Sequence, residues 1–314
     1  MCRVSTLSKT FDWSSVGDSR FASLLTTERR GDERVALLGL PDDLGVKLNN
    51  GRPGAKDGPR VFRETLSQMG SRYDLDHECL LDVGIYDAGD VVPADGGDAA
   101  ALDETHRRVT DAARALHGEG MIVVGIGGGH DLTFPMVRAL SESLGHPVGG
   151  VNVDPHLDVR ETPGSGMPYR SLIEGGFINA KHFVEFGTGR FDNSEAHIHW
   201  LREHGATISG ISGVRSGRWK PADAIGNALS AGDGFVSIDL DCIEGVLGVS
   251  AVPATGLPLD MAIEFARLAG LHHGVRHFDL MELSPTHDPG NRTARIAAVL
   301  FQTFIAGVHE RLNQ

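Results

Sequence analysis

The stretch VGGVNVDPHLD, residues 148–158, holds an apolar run, Val148–Val153, that ends on three polar side chains at alternate positions: Asp154, His156 and Asp158. A short Val-rich run bounded by polar residues reads as a strand buried on both faces. Similar runs recur at Val35–Leu40, Met121–Ile126, His182–Phe186, Gly234–Leu240 and Gly274–Leu280, each followed by a polar or turn-forming segment. Between them lie amphipathic stretches of helical length, at 99–117, 132–144, 192–204, 259–272 and 292–312. Strands alternating with helices predict βαβ units, a mostly parallel sheet and helices on both of its faces. No internal repeat or low-complexity linker interrupts the pattern. Residues 35–314 are therefore expected as a single domain, preceded by an irregular N-terminal extension, residues 1–34.

Two further segments share the polar ending of the opening stretch. Gly127-Gly128-Gly129-His130-Asp131 follows one strand-like run, and Asp239-Leu240-Asp241 closes another. In a parallel sheet all three lie at the carboxyl edge, where open α/β folds bind ligands. An extended backbone would send the alternating side chains of Asp-x-His-x-Asp, and of Asp-x-Asp, to one side. The glycine run before His130 allows a tight turn. It lacks the Lys-Ser/Thr pair of a phosphate-binding P-loop. The Gly- and Pro-rich segment 45–59, GVKLNNGRPGAKDGP, follows the first strand at the same edge and is a candidate substrate loop.

Charge turns these motifs into a chemical statement. Four aspartates brought within a few ångströms repel one another, by on the order of 4 kcal/mol per pair at ~4 Å and an effective dielectric near 20. Two divalent cations would balance them. The donors of His130, Asp154, His156, Asp158, Asp239 and Asp241 are oxygen-rich, with two imidazoles and no sulfur, a set that suits Mn²⁺. Two metals roughly 3.5–4 Å apart can share one water and lower its pKa toward neutrality.

Composition excludes other classes. The 314 residues carry a formal net charge of -13, the opposite of a nucleic-acid-binding surface. No apolar run reaches the roughly 20 residues that span a bilayer. Residues 1–20 lack the features of a signal or transit peptide, so a cytoplasmic protein is expected. The 3 cysteines, Cys2, Cys79 and Cys242, are scattered and form neither a disulfide framework nor a thiolate metal site.

From about Val35 to about Val308 the chain resembles the ureohydrolases: arginase, agmatinase, formimidoylglutamase and guanidino-acid hydrolases. The glycine turn with His130, the Asp154–Asp158 segment and Ser237-Ile238-Asp239-Leu240-Asp241 are similar to that family's metal motifs, in the family's order. The resemblance implies an arginase-like, three-layer α/β/α fold with a central eight-stranded, mostly parallel sheet. It implies two Mn²⁺ per subunit, bridged by a hydroxide. By that pattern His130, Asp154, Asp158 and Asp239 hold one metal, and Asp154, His156, Asp239 and Asp241 the other. Asp158 would also pass a proton to the departing amine. Glu282, in Met281-Glu282-Leu283-Ser284-Pro285, would pair with a substrate amidinium or guanidinium. The resemblance further implies a homo-oligomer, a trimer or hexamer.

Within the family, the details resemble formimidoylglutamase. Arg160 lies two residues beyond Asp158 and offers a bidentate fork for a substrate carboxylate. Ser165-Gly166-Met167-Pro168-Tyr169-Arg170, Gly248-Val249-Ser250-Ala251, and Gly51-Arg52-Pro53-Gly54-Ala55 with Gly58-Pro59 look like that member's loops. Ser165 and Tyr169 join Arg160 and Glu282 as expected substrate contacts, Tyr169 at the place where arginase has a His. The expected reaction is hydrolysis of N-formimino-L-glutamate to L-glutamate and formamide. A guanidino-acid, agmatine or arginine hydrolase releasing urea is the alternative, and a non-catalytic metal-binding subunit the alternative of another class.

Overall fold

The computed structural model describes residues 7–8 and 11–314. In chain order the strands are β1 Leu7–Ser8, β2 Leu25–Thr26, β3 Val35–Leu40, β4 Tyr73–Asp74, β5 Cys79–Leu80, β6 Ile85–Val91, β7 Ile122–Gly127, β8 Val148–Val153, β9 Ile178–Thr188, β10 Thr207–Gly210, β11 Gly234–Asp239 and β12 Val275–Met281. β4 and β5 form a separate two-stranded pair; the other strands make one 10-stranded sheet. Its order is β1-β6-β3-β7-β12-β11-β8-β9-β10, with β2 also on β6. Every pairing in this sheet is parallel except β1 with β6. The run from β6 to β10 is the eight-stranded parallel sheet expected; β1 and β2 extend the count by pairing with β6.

Strand alternation sorts the core into layers. Val35 and Leu37 of β3 face one side with Phe62 and Leu66 of the helix Gly58–Gln68, and with Phe301 and Phe304 of the helix Arg292–Leu312. Ala36, Leu38 and Leu40 face the other side with Val109 and Ala112 of the helix Ala99–Gly118, and with Met136 of the helix Thr133–Leu144. Period-2 side-chain alternation in a sheet buried on both faces gives this α/β/α arrangement.

Two parallel strands carry no clear sequence signal. β6 reads IYDAGDV, with acids at positions that a buried strand would fill with apolar residues. They are tolerated because the fully buried Arg63 pairs with both, Nη2 to Asp87 Oδ1 at 2.8 Å and Nη1 to Asp90 Oδ1 at 2.6 Å. A buried charge of this kind needs a buried partner. β10 has only 4 residues, too few for a periodicity to show.

The stretch expected as an irregular extension contributes to the fold. Residues 1–6 and 9–10 of it lie outside the described residues. Of the rest, β1 and β2 pair with β6, and Phe21, Leu24 and Leu25 enter the core. Trp13 is buried, and its Nε1–H donates to Asp87 Oδ2 at 2.8 Å, completing the acid's partners. Truncating a buried Trp costs about 3–5 kcal/mol. Trp13→Ala is therefore expected to lower unfolding stability by about 3 kcal/mol in urea melts. A change below about 0.5 kcal/mol, the range of surface substitutions, would show that the segment is peripheral.

Candidate metal centre

Four adjacent strands, β7, β12, β11 and β8, end at one edge and supply the expected ligands and Glu282. His130 follows β7, Glu282 follows β12, Asp239 and Asp241 close β11, and Asp154, His156 and Asp158 follow β8. Because these strands are parallel and adjacent, their carboxyl ends converge without long excursions of the chain.

Local turns, rather than continued extended strand, aim the side chains. β8 stops at Val153, and the His156 N–H donates to Asp154 Oδ1 at 2.6 Å. β11 stops at Asp239, and the Asp241 N–H donates to Asp239 Oδ1 at 2.8 Å. In both segments the first Asp caps its own turn, as short acidic side chains readily do. The turns leave the second oxygen of each aspartate, Oδ2, to face the centre. The glycine run likewise works differently from the tight turn expected: none of Gly127, Gly128 and Gly129 has a positive φ. These residues are small because neighbours are close. A Cβ on Gly128 would lie 2.1 Å from the Asp42 carbonyl oxygen, and one on Gly127 2.1 Å from Met281 Sδ.

The donors converge as two groups that share one residue. His130, Asp154 and Asp239 form one, and Asp154, His156 and Asp241 the other. His130 Nδ1 stands 3.0 Å from Asp154 Oδ2, 3.0 Å from Asp158 Oδ2 and 3.2 Å from Asp239 Oδ2. His156 Nδ1 lies 3.3 Å from Asp154 Oδ1 and 3.4 Å from Asp241 Oδ2. His130 Nδ1 is buried yet makes no hydrogen bond, despite three carboxylates around it, and Asp241 Oδ1 is likewise unpartnered. A nitrogen facing three carboxylate oxygens without hydrogen-bond geometry is the disposition of ligands around a shared cation. Behind it, His130 Nε2 contacts Ser237 Oγ at 3.1 Å and Tyr169 Oη at 3.2 Å. Such an anchor on the far ring nitrogen is what a metal-binding imidazole requires.

Electrostatics points the same way. Burial and the neighbouring Asp154 push the Asp241 carboxyl up to about 7, and burial with Asp239 pushes Glu282 to about 8. Asp239 is held well above the carboxylate range by burial and by Asp241. Burial alone would lower His130, but Tyr169 and the three carboxylates hold it up. Without cations, then, the cluster retains protons; oxygen- and nitrogen-bound divalent ions would replace them. The residues present thus fit a pair of such ions.

Two of these residues occupy unusual backbone conformations. Asp158 has φ +46° and Glu282 φ +66°, in the left-handed region that side chains larger than glycine seldom adopt. Glu282 is held there from both ends: its N–H donates to the Gly128 carbonyl and its Oε1 accepts from the His130 N–H, each at 2.9 Å. Strain of this kind concentrates at functional sites. The second oxygen, Oε2, is unpartnered.

A cleft of about 460 Å³ opens above the centre. Its inner end holds His130, His156, Asp158, Asp239, Asp241 and Glu282; toward its rim lie Arg160, Arg52, Asn49, Asn50, Ser165, Asn193 and His197. Arg160 forms no ion pair among the described residues; the nearby acids Glu161 and Glu174 pair instead with Arg170. Ser165 lines the cleft and accepts from Asn49 Nδ2 at 3.2 Å. Asn49, Asn50, Gly51 and Arg52 of the candidate substrate loop form one wall. Tyr169 departs from expectation. It is fully buried, stacks beside Phe183 and Phe235, and turns its hydroxyl to His130, so it does not line the cleft. The helix Pro168–Glu174 carries its ring inward, away from the rim.

Two features of the cleft carried no sequence signal, Asn193 and the contact that Arg52 makes. Asn193 holds the Asp154–Asp158 turn, accepting from the Leu157 N–H at 2.9 Å and donating to the Pro155 carbonyl at 2.8 Å. Arg52 ties the two loops singled out in the sequence, donating to the carbonyls of Leu247, Val249 and Ser250. Only pairing across about 195 residues of chain reveals that contact.

A parallel α/β/α sheet with two imidazoles and four carboxylates gathered at its carboxyl edge defines a dinuclear metal hydrolase scaffold. The chain belongs to the arginase family, whose model matches residues 33–307. It is 32% identical over 311 residues to a formimidoylglutamase of Halobacterium salinarum, covering 94% of this chain and 97% of that protein. A formimidoylglutamase of Psychrobacter cryohalolentis is 28% identical over 307 residues, covering 89% and 88%. Among solved structures, Trypanosoma cruzi formiminoglutamase with Mn²⁺ superposes with a TM-score of 0.86 at 32% identity, covering 94% of this chain and 100% of that one. Proclavaminate amidino hydrolase from Streptomyces clavuligerus, at 23% identity and a TM-score of 0.78, shares the fold, with 91% and 95% covered.

The raised carboxyls give a signed prediction for the metal-free protein. Asp241 at about 7 and Glu282 at about 8 stand above unfolded values near 4. The folded chain thus holds more protons than the unfolded one across that interval. Their stabilising contribution is complete below about pH 4 and is lost as pH rises through about 7–8. The melting temperature of chelator-treated protein is expected to fall from about pH 5 to about pH 8, and added Mn²⁺ to raise it most at the upper end. A flat or rising profile would contradict this picture of the cluster.

Proposed function

We propose that this protein hydrolyses N-formimino-L-glutamate to L-glutamate and formamide. The observation that carries the reading is the polarity of the cleft: a buried carboxylate, Glu282, at the inner end beside the His and Asp cluster, and toward the rim a guanidinium, Arg160, with no ion pair among the described residues. A short substrate with a cationic amidine at one end and a carboxylate at the other fits that axis. The formimidoylglutamases of two organisms and the Mn²⁺-bound formiminoglutamase structure support the same choice of substrate and metal.

His130, Asp154, Asp158 and Asp239 would hold one Mn²⁺, and Asp154, His156, Asp239 and Asp241 the other. When bound, the pair supplies a water of lowered pKa and positive charge for the addition to carbon. The chain's own residues do the rest. Glu282 Oε2, free of any other partner, receives the amidinium and sets the formimino carbon above the ligand cluster. Arg160 holds a glutamate carboxylate through its fork. Fixing both ends of a short molecule turns the attack into an oriented, effectively intramolecular event. Asp158, largely covered and raised in pKa by burial and by Asp154, can take the proton from the attacking water. It returns that proton to the glutamate nitrogen as the carbon–nitrogen bond breaks. Water adds to the formimino carbon, glutamate leaves as the amine, and formamide remains, so atoms and charge balance.

Product analysis separates this activity from urea release. The Mn²⁺-loaded protein is expected to give formamide and glutamate from formiminoglutamate, with no urea from arginine, agmatine or guanidinobutyrate at comparable rates. Arg160→Ala is expected to raise KM for formiminoglutamate about 10- to 100-fold, the loss of a charged hydrogen-bond pair of about 1.5–3 kcal/mol, while bound Mn²⁺ persists. Urea as the main product would replace this reading with that of a guanidino hydrolase, and unchanged KM would remove Arg160 from substrate binding.

A further inference from the structure

The ring of His130 is fixed by a buried row of hydrogen-bonding groups that never reaches the cleft. His130 Nε2 meets Ser237 Oγ at 3.1 Å. Ser237 Oγ meets Thr133 Oγ1 at 3.4 Å, and Thr133 Oγ1 meets Asp279 Oδ2 at 3.0 Å. Asp279 Oδ2 also meets His277 Nε2 at 2.8 Å, while His277 Nδ1 lies 3.0 Å from the Val123 carbonyl oxygen. Thr133, Ser237, His277 and Asp279 are all fully buried, so water offers them no alternative partners.

The direction of each bond follows from the chemistry at the far end. A carbonyl oxygen only accepts, so His277 Nδ1 carries a proton. The Nε2 contact with Asp279 then holds the proton shared by that pair. Asp279 Oδ2 is left to accept from Thr133, whose O–H must donate to it. Thr133 Oγ1, having given its proton away, accepts from the Ser237 O–H. Ser237 Oγ, with its proton used, accepts from His130 Nε2–H. Each hydroxyl has one proton, so the row has one polarity. Its outcome is a His130 ring whose Nε2 proton is fixed, so that Nδ1, which faces Asp154, Asp158 and Asp239, is the nitrogen left to bind a metal. Tyr169 Oη lies 3.2 Å from the same Nε2 and is a second acceptor for its N–H.

We propose that Thr133, backed by Asp279, is a positioning residue for the metal centre: it passes the acceptor character of a buried carboxylate through Ser237 to His130 and so fixes the tautomer that binds metal. The proposal rests on the metal-hydrolase reading above. Without the Thr133 hydroxyl, the Ser237 O–H is free to donate to His130 Nε2, which favours the opposite tautomer with a proton on Nδ1.

The test is Mn²⁺ binding to the full chain, followed by calorimetric titration and by the spin-coupled signal of a manganese pair in electron paramagnetic resonance. Thr133→Val keeps the shape and removes the hydroxyl; Thr133→Ser keeps the hydroxyl. Wild type is expected to bind two equivalents and give the coupled signal. Thr133→Val is expected to bind one equivalent about 10- to 100-fold more weakly, the usual effect of losing an outer partner of a ligating histidine. Its coupled signal should give way to that of isolated Mn²⁺ at matched loading. Thr133→Ser should recover both readouts. A Thr133→Val protein that titrates like wild type would overturn the proposal, as would a Thr133→Ser protein impaired to the same degree, which would assign the effect to packing. Absence of Mn²⁺ binding by wild type would overturn the underlying metal reading and is distinct from either result.

Discussion

The mutual repulsion of Asp154, Asp158, Asp239 and Asp241 is the constraint around which the molecule is arranged. All four are buried or nearly so, at the edge of a sheet whose interior is Val, Ile, Leu and Phe. The fully buried guanidinium of Arg63 is committed to Asp87 and Asp90 on β6 and offers them nothing. Their local partners are two histidines, and the donor atoms are arranged as two groups with Asp154 in common. Buried charge of one sign is tolerable only with compensation of the other sign in place. Two divalent ions supply it, and folding and metal binding are thereby linked.

The scaffold separates holding the ligands from choosing the substrate. The candidate ligands sit within a few residues of the ends of β7, β8 and β11, on backbone fixed by sheet pairing and by turns that Asp154 and Asp239 cap themselves. Glu282, from β12 between β7 and β11, reaches the same point from the middle of the sheet. The rim is built from loops: the segment after β3 with Arg52, the segment after β8 with Arg160 and Ser165, and the segment 247–251. Loops tolerate change better than strand ends. One metal centre can therefore serve different amidines and guanidines while the rim decides among them.

Much of this was legible in the chain because the informative features are short-range. Apolar runs followed by polar or turn-forming segments marked β3, β7, β8, β9, β11 and β12, and residues two apart marked the candidate ligand segments. What was not legible depends on partners distant in sequence. β6 reads as polar until Arg63 and Trp13 are placed against Asp87. The glycines before His130 read as a turn until the Asp42 carbonyl and Met281 are packed on them. Tyr169 lies in a loop-like stretch near Arg160, yet a helical turn directs it into the core, where its hydroxyl serves His130 instead of a ligand. The described residues before β3 show no periodicity, because they contribute single anchors, Trp13, Phe21 and Leu25, and two-residue strands too short for a repeated face.

Metal content per chain, after equilibration with Mn²⁺ and removal of free ion, reports whether the buried cluster is built around two shared cations. Two Mn²⁺ per wild-type chain are expected, and loss of both in Asp154→Asn, since Asp154 belongs to both donor groups. A single Mn²⁺ in wild type, or two retained in Asp154→Asn, would contradict that arrangement.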